Sequence, residues 1–360
     1  MRQPWINSSV LDSLVILAPS FVSVGFAYLF EKQFGETEQL PAWAWVSFVL
    51  LIDVAHVYGT VFRTYFHSTE FKTRRKLLTL VPLFCWIGGV LLYSVGELVF
   101  WRVLAYLAVF HFIRQQYGFM MLYSRNESEG QRKFRWIDQG FIYSATLYPL
   151  FYWHTHLPRN FNWFVEGDFV TGVPPVLSNL ALVFEIVFGS LFLTKEFYSF
   201  LKTGFINIPK LLFAFGTALS WLVGIVVLKG DMAFTVSNVV SHGIPYLGLV
   251  WMTGRKQVSK TTRFSIYSLK GIPLFLGVLF LFAYLEEGLW AGWVWREHLE
   301  IFAPFSNLPF MQQTDVLVWL VPFLILPQST HYVLDGFIWK LREKRSDWSI
   351  TIFREGVQAS

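Results

Sequence analysis

Apolar residues along this chain fall in runs of roughly 20, each closed by a polar or basic segment, and a helical run of that length crosses the ~30 Å hydrocarbon layer of a bilayer. Ten such runs can be drawn, at about 11–30, 42–66, 77–98, 102–124, 138–153, 175–194, 210–229, 232–253, 271–290 and 315–340. They leave no stretch for a separate soluble domain. The pattern predicts an all-α polytopic membrane bundle over 1–340, with a short charged cytoplasmic tail over 341–360. The first run, Leu11–Phe30, is longer than the apolar core of a signal peptide and reads as the first span.

Four of the ten runs break the apolar pattern at helical spacing. In "DVAHVYGTVFRTYFH", Asp53, His56, Thr60, Arg63 and His67 recur on one helix face. In "HFIRQQYG", His111 is followed by Arg114 and Gln115 one turn on. "SNVVSHGIPY" places Asn238 and Tyr246 one turn either side of His242, and "PQSTHYVLDGFIWK" aligns Gln328, His331, Asp335 and Trp339. All four runs are even-numbered, so they cross in the same direction, and the four histidines fall at similar depth. Isolated polar groups cost several kcal/mol in hydrocarbon, so these residues are expected to face the bundle interior and to pair or line a cavity. A shared metal centre follows as the expectation, with His56, His111, His242 and His331 as ligands and Asp53 and Asp335 completing or supporting the shell. Arg114 and Gln115 are expected to position substrate or oxygen. His67 lies too far along its helix from His56 to share one ion, and Glu185 is a further carboxylate in the middle of a span.

Composition agrees with the spans: 54% of residues are hydrophobic, 19% aromatic and only 15% charged. The single cysteine, Cys85, excludes an intramolecular disulfide and any thiolate-cluster metal site. The net charge of +5 does not point to nucleic acid, because the basic residues are spread by topology. Of 29 Lys and Arg, 22 lie in alternate loops, in the tail or at Arg2. The positive-inside rule then places these segments and both termini in the cytoplasm, as an even number of spans requires. This charge pattern suits a bacterial inner membrane. The Trp-rich segment 285–302 is expected along the outer interface.

A donor set of imidazoles with a few carboxylates suits iron, with copper or zinc as alternatives. No P-loop, dinucleotide fingerprint or nucleophile elbow appears. The dispersed histidines resemble those of the Brp/Blh membrane β-carotene oxygenases: "HFIRQQYGF" around His111, "SHGIPYLG" around His242 and "THYVLDGF" around His331 and Asp335 are similar to short segments of that family. The resemblance implies an iron-dependent oxygenase site acting on an apolar, carotenoid-like small molecule drawn from the bilayer. Two other classes compete with this reading. A transporter would use the same His, Asp, Glu and Arg as a proton or ion path. A scaffold would use them only as glue between helices.

Overall fold

The computed structural model describes residues 2–32, 40–157, 163–228, 230–257 and 265–340. The tail expected over 341–360 lies outside them. Among the described residues the chain is all helical. In chain order the long elements are α1 Ser9–Leu29, α2 Ala42–Arg63, α3 Arg75–Val95, α4 Glu97–Tyr123, α5 Arg135–Thr155, α6 Pro175–Thr203, α7 Ile208–Val227, α8 over 231–257, α9 Leu269–Trp295, α10 Thr314–Leu324 and α11 Leu326–Ile338. Six of them are long and apolar enough to cross a membrane, or seven if α10 and α11, bent by 43° at Ile325, form one broken span. The chain is a membrane protein on that ground. The remaining predicted runs, 102–124, 138–153 and 232–253, are also helical, within α4, α5 and α8.

Two compact units form. One comprises Met1–Leu40 and Ala108–Pro245, the other Pro41–Leu107 and Tyr246–Ser360. Helices α4 and α8 each contribute to both.

In the first unit, α5 packs on α6 where Gly140 makes room for the Phe188 ring. A Cβ there would sit 2.1 Å from the ring. Phe141 stacks on Phe192 at 4.7 Å, and Met120, Ile142, Ala145 and Ala214 fill the core around them. Only Ser178, Ala181 and Phe192 of α6 are buried. Its outward row of Leu, Val, Ile and Phe is what a helix bordered by lipid presents. Lys210, in the first turn of α7, is fully buried among carboxylates. Its Nζ lies 2.7 Å from Glu127 Oε1, 3.0 Å from Asp138 Oδ2 and 2.7 Å from Glu196 Oε1. Lys195 and Arg135 close the network on Asp138 and Glu127.

In the second unit, α3 packs on α10 and α11, with Gly89 against Pro322 and a buried contact of Leu78 with Leu334 and Ile338. Two stretches of π-winding precede histidines of interest: Trp45–Val54 ahead of His56, and Thr235–Val239 ahead of His242. A π-turn widens the helix and re-aims the side chains that follow, and such windings gather at functional sites.

Candidate metal centre

Within the first unit, α4 and α8 bring His111 and His242 together, both buried, with their Nε2 atoms 3.2 Å apart. Two imidazoles on one tetrahedral ion, at the usual metal–nitrogen distance of ~2.0–2.1 Å, hold their nitrogens about 3.3 Å apart. The same 3.2 Å contact is a hydrogen bond between the two rings, and its length is close to the separation of two ligands on a common ion. The ring of His242 lies flat on Phe112 at 3.7 Å, which fixes its plane. Gln115 Nε2 donates to the backbone carbonyl of His242 at 2.8 Å and ties α4 to α8 at this level. The next residue, Gln116, is also buried and accepts a hydrogen bond from Thr217 Oγ1.

Within the second unit, His56 on α2 and His331 on α11 are each 1% exposed, with ring centres 5.0 Å apart. The Nδ1 of His56 donates to the carbonyl of Ile52 one turn earlier, at 3.2 Å, leaving Nε2 as its ligand atom. The tautomer of His331 follows from a hydrogen-bond chain. Tyr246 donates its one hydroxyl hydrogen to Asp335 Oδ1 at 2.8 Å. Thr60 Oγ1, 2.8 Å from the same phenol oxygen, must then donate to it. With its own hydrogen spent, Thr60 accepts from His331 Nδ1 at 2.6 Å. Nδ1 of His331 thus carries the proton, and Nε2 is the lone-pair nitrogen. Anchoring one ring nitrogen so that the other is presented is how metal-ligating histidines are built. Gly59 makes the chain possible, because a Cβ there would come to 3.0 Å from the Tyr246 ring.

His56, His111, His242 and His331 form one buried group, with one ring nitrogen from each lying within 4.8 Å of all the others. Such a group can hold a metal ion. No cysteine or carboxylate belongs to the group.

The other expected site residues fall around it. Asp53 Oδ1 is 3.7 Å from His56 Nδ1, and Asp335 Oδ1 is 3.7 Å from His331 Nδ1. Both carboxylates therefore stand behind the imidazoles, on the side away from the ligand nitrogens. Gln115 braces the backbone of His242. Arg114 is exposed, donates to the Tyr143 hydroxyl at 2.8 Å and lies over the Tyr117 ring. His67 caps the short helix Ser68–Thr73 by accepting from the Glu70 amide. Glu185 is half-buried on α6. Thr60 and Tyr246 are the functional additions. Each stood on a recognised helix face, but their pairing joins positions 186 residues apart.

Comparison with protein-family models, with curated protein sequences and with solved structures returns no match.

Proposed function

We propose that this chain is an integral-membrane metalloenzyme, a non-haem iron oxygenase acting on a lipid-soluble substrate at the four-histidine group. One observation carries the reading: four buried imidazoles, from α2, α4, α8 and α11, offer ring nitrogens within 4.8 Å of one another. Four neutral nitrogen donors without thiolate fit iron, copper or zinc. The resemblance of the segments around His111, His242 and His331 to membrane carotenoid oxygenases favours iron. An iron ion in this group would supply oxygen activation. The chain's own residues hold and orient the ligands: Ile52 and Thr60 fix the outer nitrogens of His56 and His331, Phe112 holds the plane of His242, and Asp53 and Asp335 stand behind the rings. All four histidines are buried, which keeps bulk water from them. The ten-span arrangement with cytoplasmic termini belongs to the same proposal and rests on the alternation of basic loops.

A metal-ion transporter is the second reading, favoured by the 43° break between α10 and α11 just before His331. Broken helices at membrane depth are where transporters bind ions.

Elemental analysis of the purified protein, with His111→Ala and His331→Ala, tests both. The expected result is near-stoichiometric iron that survives dialysis and disappears from both folded variants. Stoichiometric copper or zinc would keep the centre and reject the oxygenase assignment. A protein that stays metal-free after growth and reconstitution with each ion overturns the metalloenzyme reading. Metal flux into liposomes without a retained ion selects transport.

A further inference from the structure

On α4 the row Phe110, Arg114 and Gly118 recurs every four residues and is exposed throughout, Phe110 to 56%. Nothing lies within 4 Å of where a Cβ on Gly118 would stand, so space is open beside the guanidinium. The depth of Arg114 follows from its neighbours, all in the first unit. Its Nη1 donates to the Tyr143 hydroxyl at 2.8 Å. Tyr143 comes two residues after Phe141 on α5, and Phe141 packs on α6 at Phe192 and Gly189. Gly189 belongs to the apolar stretch 175–194 of α6, a helix long and apolar enough to cross a membrane. At ~1.5 Å per residue it stands about 7 Å from the middle of that stretch. Arg114 is thus level with the hydrocarbon layer. About nine residues, ~14 Å of helix, separate it from the end of α4 at Tyr123, further than its side chain reaches. An ionisable group at that depth is expensive, and one on an exposed apolar row marks a site that serves something outside the bundle.

The polar groups at this place are all donors. Tyr143 is the one hydrogen-bond partner of Arg114 among the described residues. Because the phenol oxygen accepts from the guanidinium, its own hydrogen points elsewhere, and it meets no acceptor among the described residues. Nε and Nη2 of Arg114 and the Tyr143 hydroxyl can therefore serve a ligand that only accepts. The Tyr117 ring, 5.2 Å from the guanidinium carbon, adds a flat wall. Lipids carry three groups that only accept: phosphate, carboxylate and carbonyl. Depth separates them, because an ionised group pays heavily to leave the headgroup layer and a neutral carbonyl far less.

We propose that Arg114 and Tyr143 bind a carbonyl oxygen of a lipid quinone, a neutral flat-ringed molecule whose apolar tail dissolves in the bilayer. The ring lies at the open space by Gly118, and the tail follows the apolar row past Phe110. The site is on the outer face of α4, needs no passage into the bundle and does not rest on the metalloenzyme reading.

The test is equilibrium binding of a decyl-naphthoquinone and of the matching decyl-naphthalene, which lacks only the carbonyl oxygens, to the full chain in nanodiscs. Their ratio on the wild type isolates the carbonyls. The quinone is expected to bind roughly ten- to a hundredfold more tightly, the span of a hydrogen bond from a charged donor. Its carbonyl stretching band should move to lower frequency on binding. In Arg114→Leu the ratio is expected to fall to about one and the band to return to its position in lipid alone. Arg114→Lys should restore part of the preference, and Tyr143→Phe should lower it less than Arg114→Leu does. Circular dichroism checks that each variant keeps its helicity, which an exposed position favours. Equal binding of quinone and hydrocarbon, or no binding of either, overturns the proposal. A preference that survives Arg114→Leu removes the site from α4 and overturns it as well. Tighter binding of decanoate than of the quinone assigns the donors to an anion and overturns the carbonyl.

Discussion

Two buried ion clusters in this molecule are built on opposite terms. Around Lys210 three cations, Lys195, Lys210 and Arg135, face three carboxylates, Glu127, Asp138 and Glu196, and the three hydrogens of the Lys210 ammonium each have a carboxylate partner. Around Arg63 two guanidinium groups share one glutamate, and two buried nitrogens have no acceptor among the described residues. The first cluster is closed: its three carboxylates are matched by three cations within the chain. The second leaves two donor nitrogens of Arg63 without an acceptor among the described residues, which is costly for a buried group. Burial of a charge therefore says little about function. What distinguishes the two clusters is whether the donors are all used.

In the four-histidine group the ring nitrogens converge, and the opposite nitrogens of His56 and His331 are anchored. Breaking the closed cluster should cost stability alone, and breaking the supports of the histidine group should cost binding.

The largest effect is expected from Lys210→Met. Removing the central cation leaves three buried carboxylates with only Lys195 and Arg135 near them, and breaking a buried ion pair costs about 3–5 kcal/mol. Thermal unfolding in detergent should show this loss, while the metal bound per folded molecule stays at the wild-type value. Loss of metal from folded Lys210→Met would mean that the closed cluster serves the centre after all.

Tyr246→Phe should do the opposite. The ring remains to pack on Gly59 and between His56 and His331, but the hydroxyl that links Thr60 to Asp335 is gone. Thr60 is then free to point its hydrogen elsewhere, and the tautomer of His331 is no longer dictated. Supports of metal-ligating histidines are typically worth 10–100-fold in metal affinity. Competition with a chelator should reveal a loss of that size at unchanged helicity. An unaltered affinity would show that the chain from His331 to Asp335 does not orient a ligand.

A smaller effect separates the closed cluster by pH. Glu127 lies beyond the end of α4. Burial pushes its carboxyl up, but Lys210, Lys195 and Arg135 outweigh this and hold it below the ordinary glutamate value. A carboxylate held low contributes stability that is fully present above its unfolded value, near ~4.3, and is lost as pH falls through the folded one. The unfolding midpoint of wild type should therefore drop on acidification below roughly pH 4, and Glu127→Gln, already destabilised at neutral pH, should show a shallower drop. Parallel acid profiles would remove Glu127 from the network's energetics.

How much of this was legible in the sequence depends on the range of each interaction. Helices were, because run length and apolarity are local, although the drawn count of ten exceeds the six or seven helices that meet the membrane test. The four histidines and the acid–histidine spacings of Asp53 with His56 and His331 with Asp335 were also legible, because a helix brings i+3 and i+4 together. The π-windings were not, since they depend on neighbouring helices. Lys195 and Lys210 read as ordinary loop-side basic residues, yet Lys210 is fully buried, because its partner Asp138 is 72 positions away. Thr60 and Tyr246 were seen on the right faces, but the hydrogen bond between them is a property of packing.

The smallest expected effect concerns the two residues of "HFIRQQYGF" that periodicity could not separate. Arg114 and Gln115 follow His111 by three and four positions, at about −60° and +40° around the helix from it. That difference sends one outward and the other to α8. Arg114 is exposed, so Arg114→Gln gives up a hydrogen bond to Tyr143 and a cation–π contact with Tyr117, changes of well under about 1 kcal/mol at an exposed position. Metal content and affinity should remain those of wild type. Gln115→Leu keeps the volume but removes the donor to the His242 carbonyl, a net loss of about 1 kcal/mol that should appear as a modest fall in metal affinity. If Arg114→Gln weakens the centre more than Gln115→Leu, then the guanidinium swings inward when the site is in use, and the assignment of Arg114 to the outer surface is overturned.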